Sequence, residues 1–169
     1  MSAEAPPAEP KSLRDPVTLA ARKSRLDSPH LAPIRALGRA IAAAQGAEVP
    51  EPDPLDGGVA ARLLLLLETP GPRIRGTGLV SRDNPTGTAA NLFRFLAEAG
   101  IARRDTLIWN TIPWVIHAPG ARNRPPRRSE VRQALPWLAP LLACLPHLRV
   151  VVLSGRVAGF AQSDLEASR

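Results

Sequence analysis

The chain has 169 residues, 44% of them apolar: the length of one ordinary domain plus a tail, with enough apolar surface to exclude global disorder. Against 15 acidic residues stand 22 basic ones, 20 of them arginine, so the net charge is +7 and the surface is rich in forks that match phosphates and base edges. A single cysteine, Cys144, excludes an internal disulfide framework and any zinc or cluster site built from several thiolates of this chain.

The opening residues, M-S-A-E-A-P-P-A-E-P, hold no basic stretch and no apolar core, so no signal peptide is expected. Residues 1–30 are rich in proline, alanine and charge and read as a flexible arm. Residues 31–45 follow as a helix: Leu31, Ile34, Leu37, Ile41 and Ala44 recur at three- and four-residue spacing, Pro33 suits the first turn and Gly46 the stop. Val49-Pro50-Glu51-Pro52-Asp53-Pro54 reads as a stiff extended connector. Residues 61–67, A-R-L-L-L-L-L, form an apolar run closed by a Pro/Gly turn, which fits a buried parallel strand. Residues 88–100 read as a helix with Ala89, Leu92, Phe93, Leu96 and Ala99 on one face. Residues 106–110, T-L-I-W-N, read as a second buried strand. Residues 129–144 hold a helix with Ser129 as its N-cap, kinked or split by Pro136 and Pro140. The third strand lies within 147–155, and 156–169 leave room for one short helix with Val157, Phe160 and Leu165 on its apolar side. The longest apolar stretch, 134–146, is broken by its prolines and falls short of the ~20 residues a spanning helix needs, so no membrane partner and a cytoplasmic location are expected.

Strands alternating with helices predict an α/β domain over 31–169, with its core at 60–160 and a mainly parallel sheet. Ligands of such sheets bind at the carboxyl ends of the strands. The first strand exits into Glu68-Thr69-Pro70-Gly71-Pro72, the second ends on Asn110, and the third exits into Ser154-Gly155. Glu68 can orient or activate a water. The Asn110 carboxamide, with one acceptor and two donors, can read the amide edge of a planar heterocycle. Pro70 and Gly71 let a ligand approach the backbone.

These segments, taken in order as L-L-L-L-E-T-P-G-P, G-T-G-L-V-S-R-D-N, T-L-I-W-N-T-I-P-W, N-R-P-P-R-R-S-E and V-V-V-L-S-G-R-V-A, resemble the uracil-DNA glycosylase superfamily over residues 27–159. The resemblance implies a three-layer sandwich around a central, mainly parallel sheet. It places Glu68 at the catalytic glutamate of a G-E-A-P-G motif, with Thr69, Pro70 and Gly71 lining the base site, and Asn110 at the base-reading asparagine. Ser81-Arg82-Asp83-Asn84 falls where other members keep the loop against the base. Ser81 is there a base contact, and Asp83 is either a second catalytic carboxylate or a turn residue capping the next helix. Asn123-Arg124-Pro125 resembles the N-R-x-P segment of the cluster-bearing members, although one cysteine leaves no iron–sulfur cluster and no cofactor is implied. The third motif of the superfamily, H-P-S, does not occur. The last strand and helix are therefore expected to be lacking, leaving an unpaired sheet neighbour and weakened excision. His117 follows the second strand and could approach the site, whereas His147 lies at the wrong end of the sheet.

The charge points to DNA. Residues 1–56 hold 7 basic and 8 acidic residues, and 57–169 hold 15 and 7, so all the positive excess lies in the second part. Five arginines and one glutamate crowd residues 122–132. Arg122, Arg124, Arg127 and Arg128 are the candidate phosphate contacts. The expected function is hydrolysis of the N-glycosidic bond of uracil or a related damaged base in DNA. The alternative is a non-catalytic or vestigial DNA-binding domain derived from such an enzyme.

Overall fold

The computed structural model describes residues 8–167. Three parallel strands form its centre: β2 (Leu63–Leu67) in the middle, β4 (Thr106–Asn110) on one side and β5 (Val150–Leu153) on the other. The leucine run of β2 serves both faces because side chains alternate along a strand. Leu64 and Leu66 enter the main core with Leu107, Trp109, Ile112 and Trp114, while Leu65 enters a second cluster with Ile108, Val80 and Leu96. Helix α2 (Ala32–Gln45) covers the first face through Ile34, Leu37 and Ile41, and Gly46, at φ 58°, stops it. Helix α3 (Gly87–Glu98) covers the second face through Ala89, Ala90 and Leu96, with the Thr86 hydroxyl accepting from the Ala89 amide at 3.2 Å. Helices on both faces make the mixed α/β, three-layer arrangement expected of the sequence.

The helix expected over 129–144 is split. Helix α4 (Arg128–Ala134) ends in a 3-10 turn, Leu135–Trp137, before α5 (Leu138–Ala143). Pro136 has no N–H to continue α4, whereas Pro140 falls in the first turn of α5, where that N–H would have no partner. The N-cap is Arg127, not Ser129: the Arg127 amide donates to Glu130 at 2.6 Å. Residues 156–167 form two short helices rather than one, α6 (Arg156–Gly159) and α7 (Gln162–Ala167). Ala158 in α6 and Ala161 in the turn between the two helices are buried, and Phe160, expected on the apolar side, faces solvent.

Two expectations near the start of the chain are corrected. Residues 1–7 lie outside the described residues. From 8 to 30, the expected arm is packed structure: Leu13 is buried in a 3-10 turn (Ser12–Arg14), and α1 (Pro16–Lys23) is capped by Asp15, which accepts from the Thr18 amide at 2.8 Å. The expected connector is also more than a spacer. β1 (Glu51–Pro52) pairs in parallel with β3 (Leu79–Val80), and Asp53 behind it is buried. Both departures have one cause: arginine and aspartate side chains far apart in sequence meet in the interior.

β5 is the outer strand on its side of the sheet among the described residues. Val150 and Val152 are 50% and 41% exposed. No helix of the described residues is long and apolar enough to cross a membrane.

Candidate active site

A cleft of about 600 Å³ opens at the carboxyl ends of β2 and β4, where a parallel sheet places its ligands. In-register pairing of Leu67 with Asn110 sets the two strand exits side by side, and the turns beyond are tied together: the Thr111 amide donates to Leu67 O at 2.7 Å and the Ile112 amide to Glu68 O at 3.0 Å. Glu68, Thr69, Pro70, Gly71, Ser81 and Asn110 all line this cleft. So does Val80, which gives the cleft an aliphatic wall.

Asn110 ends β4 and is 4% exposed, and its carboxamide makes no hydrogen bond within the described residues. Its donors and acceptor are therefore free to pair with a group that enters the cleft. Glu68 stands on the neighbouring exit. Its Oε1 accepts from the Val157 amide at the start of α6, 3.1 Å away, and Oε2 makes no hydrogen bond within the described residues. A Cβ added to Gly71 would meet nothing within 4 Å, so the backbone of that turn is open to a ligand.

Ser81 turns inward. Its hydroxyl donates to Asp53 in a short hydrogen bond and accepts from the Asp83 amide at 2.9 Å, so its side chain is already committed to the protein. Asp83, expected as a second catalytic carboxylate or a helix cap, is neither. It is fully buried, does not line the cleft, and Thr86 caps α3 instead. Asp83 Oδ2 accepts from Arg22 at 2.9 Å and Arg103 at 2.7 Å. The same two arginines hold Asp53, each at 2.7 Å, and the Arg103 Nε lies 2.9 Å from Asp56. Arg22, on α1, is 2% exposed. Burial works against the charge on Asp53, but Arg103, Arg22 and the Ser81 hydroxyl overcome it and hold the carboxyl below its ordinary range. For Asp56 burial wins: with Asp53 and Asp83 nearby, Arg103 and Arg82 do not offset it, and the carboxyl is pushed up to about 7. This interior network joins α1, the connector behind β1, the 81–84 loop and the turn before β4. Nothing in the sequence spacing signals it, since Arg22 and Asp83 are 61 residues apart.

The arginine-rich segment divides in two. Arg124 is an internal clasp: it pairs with Glu130 at 2.6 Å and donates to Ile116 O at 2.9 Å. The guanidinium groups of Arg122, Arg127 and Arg128 are exposed and make no ion pair among the described residues. Asn123, within the same segment, lines the cleft, so this loop brings exposed charge to its rim. Arg73 lines it from the turn after β2. His117 is buried away from the cleft with neither ring nitrogen hydrogen-bonded. Burial, with Arg124 nearby, lowers its pKa. Trp109 and Trp114 are core residues. Among the described residues no three His, Cys, Asp or Glu side chains come together to hold a metal ion.

A family model described as the Uracil DNA glycosylase superfamily matches residues 55–164, which contain every cleft residue named above. No curated protein matches the chain.

Proposed function

The chain belongs to the uracil DNA glycosylase superfamily, and on that premise we propose that it hydrolyses the N-glycosidic bond of uracil or a related damaged base in DNA. The observation that carries this reading is the unpaired Asn110 carboxamide at 4% exposure, in one cleft with Glu68.

A base held inside a duplex is out of reach, so the target nucleotide must leave the stack and enter the cleft. The Asn110 amide then donates to a base carbonyl and accepts from the adjacent ring N–H, an edge that uracil has and cytosine lacks. As the bond between C1′ and the base nitrogen breaks, its electron pair leaves with the base and positive charge develops on the sugar. The Asn110 donor stabilises the first charge and the Glu68 carboxylate the second. Water bonds to C1′ through its oxygen while its proton passes to Glu68, and the departed base takes a proton from solvent. Arg122, Arg127 and Arg128 grip phosphates flanking the cleft.

The test is release of free base from a uracil-containing oligonucleotide by the wild type, Glu68→Gln and Asn110→Ala. The second reading, a DNA-binding module without catalysis, is favoured by one observation: Glu68 Oε1 is already occupied by the Val157 amide. Tight binding to uracil-containing DNA with no base released would select it.

A further inference from the structure

Gly155 sits where β5 turns into α6, with φ 99° and ψ 169°, a conformation that residues with a side chain rarely adopt. It also lines the cleft. A Cβ built on it would lie 2.6 Å from Glu68 Oε1, 2.9 Å from Cδ and 3.0 Å from Cγ. The glutamate side chain thus fills the hollow that the missing side chain leaves. Two residues on, the Val157 amide donates to that same Oε1 at 3.1 Å. Glu68 is held from the third strand exit while its backbone belongs to the first. One carboxylate oxygen is fixed, and Oε2 has no partner within the described residues.

We infer that Gly155 is a positioning residue for Glu68: its bare backbone and the Val157 amide pin one carboxylate oxygen so that the other is presented to the attacking water. The inference rests on the reading of Glu68 as the group that holds that water, and adds what aims it. A glutamate on a turn rotates about three side-chain bonds, and an unpinned carboxylate spends most of its time away from any one direction. Clamping it before the substrate arrives removes that loss from the reacting step. If the contact merely capped α6, it would act on stability, and the rate would follow only the folded fraction.

The experiment compares wild type, Gly155→Ala, Glu68→Asp and the double variant on a uracil-containing single-stranded oligonucleotide. Melting curves establish the folded fraction, and NMR follows the Val157 amide. Gly155→Ala is expected to lower kcat about 100-fold, as an ångström-scale misplacement does, with KM within about twofold and the Val157 signal displaced. Aspartate is one methylene shorter and leaves room for the new methyl group, so Gly155→Ala should cost far less in the Glu68→Asp background. Equal costs in the two backgrounds, or a Val157 signal that Gly155→Ala does not move, would overturn the inference. Should Gly155→Ala fail to fold, Glu68→Gln decides. It keeps the shape but not the charge, so the Val157 amide must shift, and an unmoved signal removes the contact. If Val157 responds to Glu68 while the wild type releases no base, the clamp stands and the glycosylase reading fails. If Glu68→Gln releases base as fast as the wild type, the role of Glu68 fails and the positioning role falls with it.

Discussion

At the scale of single residues, the proposed chemistry rests on Asn110, which lines the cleft at 4% exposure. Its amide makes no hydrogen bond within the described residues and lies on the cleft, so it is free to pair with a base edge, and that pairing is favourable only when the edge is complementary. Asn110→Ala should therefore lower kcat/KM by about 1–3 kcal/mol, roughly 5- to 150-fold. Asn123 is exposed at the rim, and Asn123→Ala should leave kcat/KM for base release within about twofold. Equal losses at the two positions would contradict the assignment of Asn110 as the reader. That Glu68 and Asn110 would line one cleft was legible in the sequence, because each directly follows or ends an apolar run and clefts of parallel sheets open at the strand ends. Asp83 was not. Its environment is made by Arg22 and Arg103, 61 and 20 residues away, and no local pattern announces such partners.

The interior network belongs to the scale of elements, because it ties α1 to the loop that walls the cleft. Its pH behaviour has a sign. The folded-state pKa of Asp56, about 7, lies above its ordinary 3.8. Between about pH 4 and 7 the folded protein therefore keeps a proton that the unfolded chain has lost, and this group makes stability fall as pH rises through that window. Asp53, held low, acts in the opposite direction: its contribution is present above the ordinary carboxylate range and is lost as pH falls through its lowered value. Asp56→Asn should thus flatten the decline in urea-unfolding stability between pH 5 and pH 7. A decline of unchanged steepness would show that Asp56 does not titrate there. The arginine segment divides in the same way. Replacing Arg122, Arg127 and Arg128 with alanine should flatten the dependence of log K on log salt by about 0.7–0.9 for each phosphate no longer neutralised, depending on whether the strand is single or paired. Arg124→Ala loosens its own loop instead, through a half-exposed ion pair worth about 1 kcal/mol or less. An unchanged slope in the triple variant would remove this segment from the DNA interface. The sequence showed the crowding of charge but not which arginine Glu130 claims, since that depends on how the loop folds back onto the start of α4.

At the scale of the whole molecule, one parallel sheet puts all three strand exits at the same end, so Glu68, Asn110 and Gly155, which lie far apart in the chain, share a cleft. This was the most legible level. The apolar runs of β2 and β4 and the β-branched run of β5 are short, separated by helical periodicity and closed by Pro or Gly, which leaves little choice of architecture. The N-terminal region was misread because proline, alanine and charge also suit an arm when their buried partners cannot be seen. Val150 and Val152 stand exposed beside a strand edge that is unpaired among the described residues. Lysine at both positions should reduce any concentration-dependent association seen in sedimentation, and association that persists unchanged would place the contact elsewhere. The central claim is that one cleft both reads and releases a base. It is tested most directly by a single-turnover reaction on a uracil-containing single-stranded oligonucleotide, quantifying free uracil and the abasic strand. The wild type should produce both in equal amounts, with Glu68→Gln slower by roughly 10²–10⁴-fold yet binding the oligonucleotide as tightly. Release that is untouched by Glu68→Gln and Asn110→Ala, or binding with no release by the wild type, would contradict it.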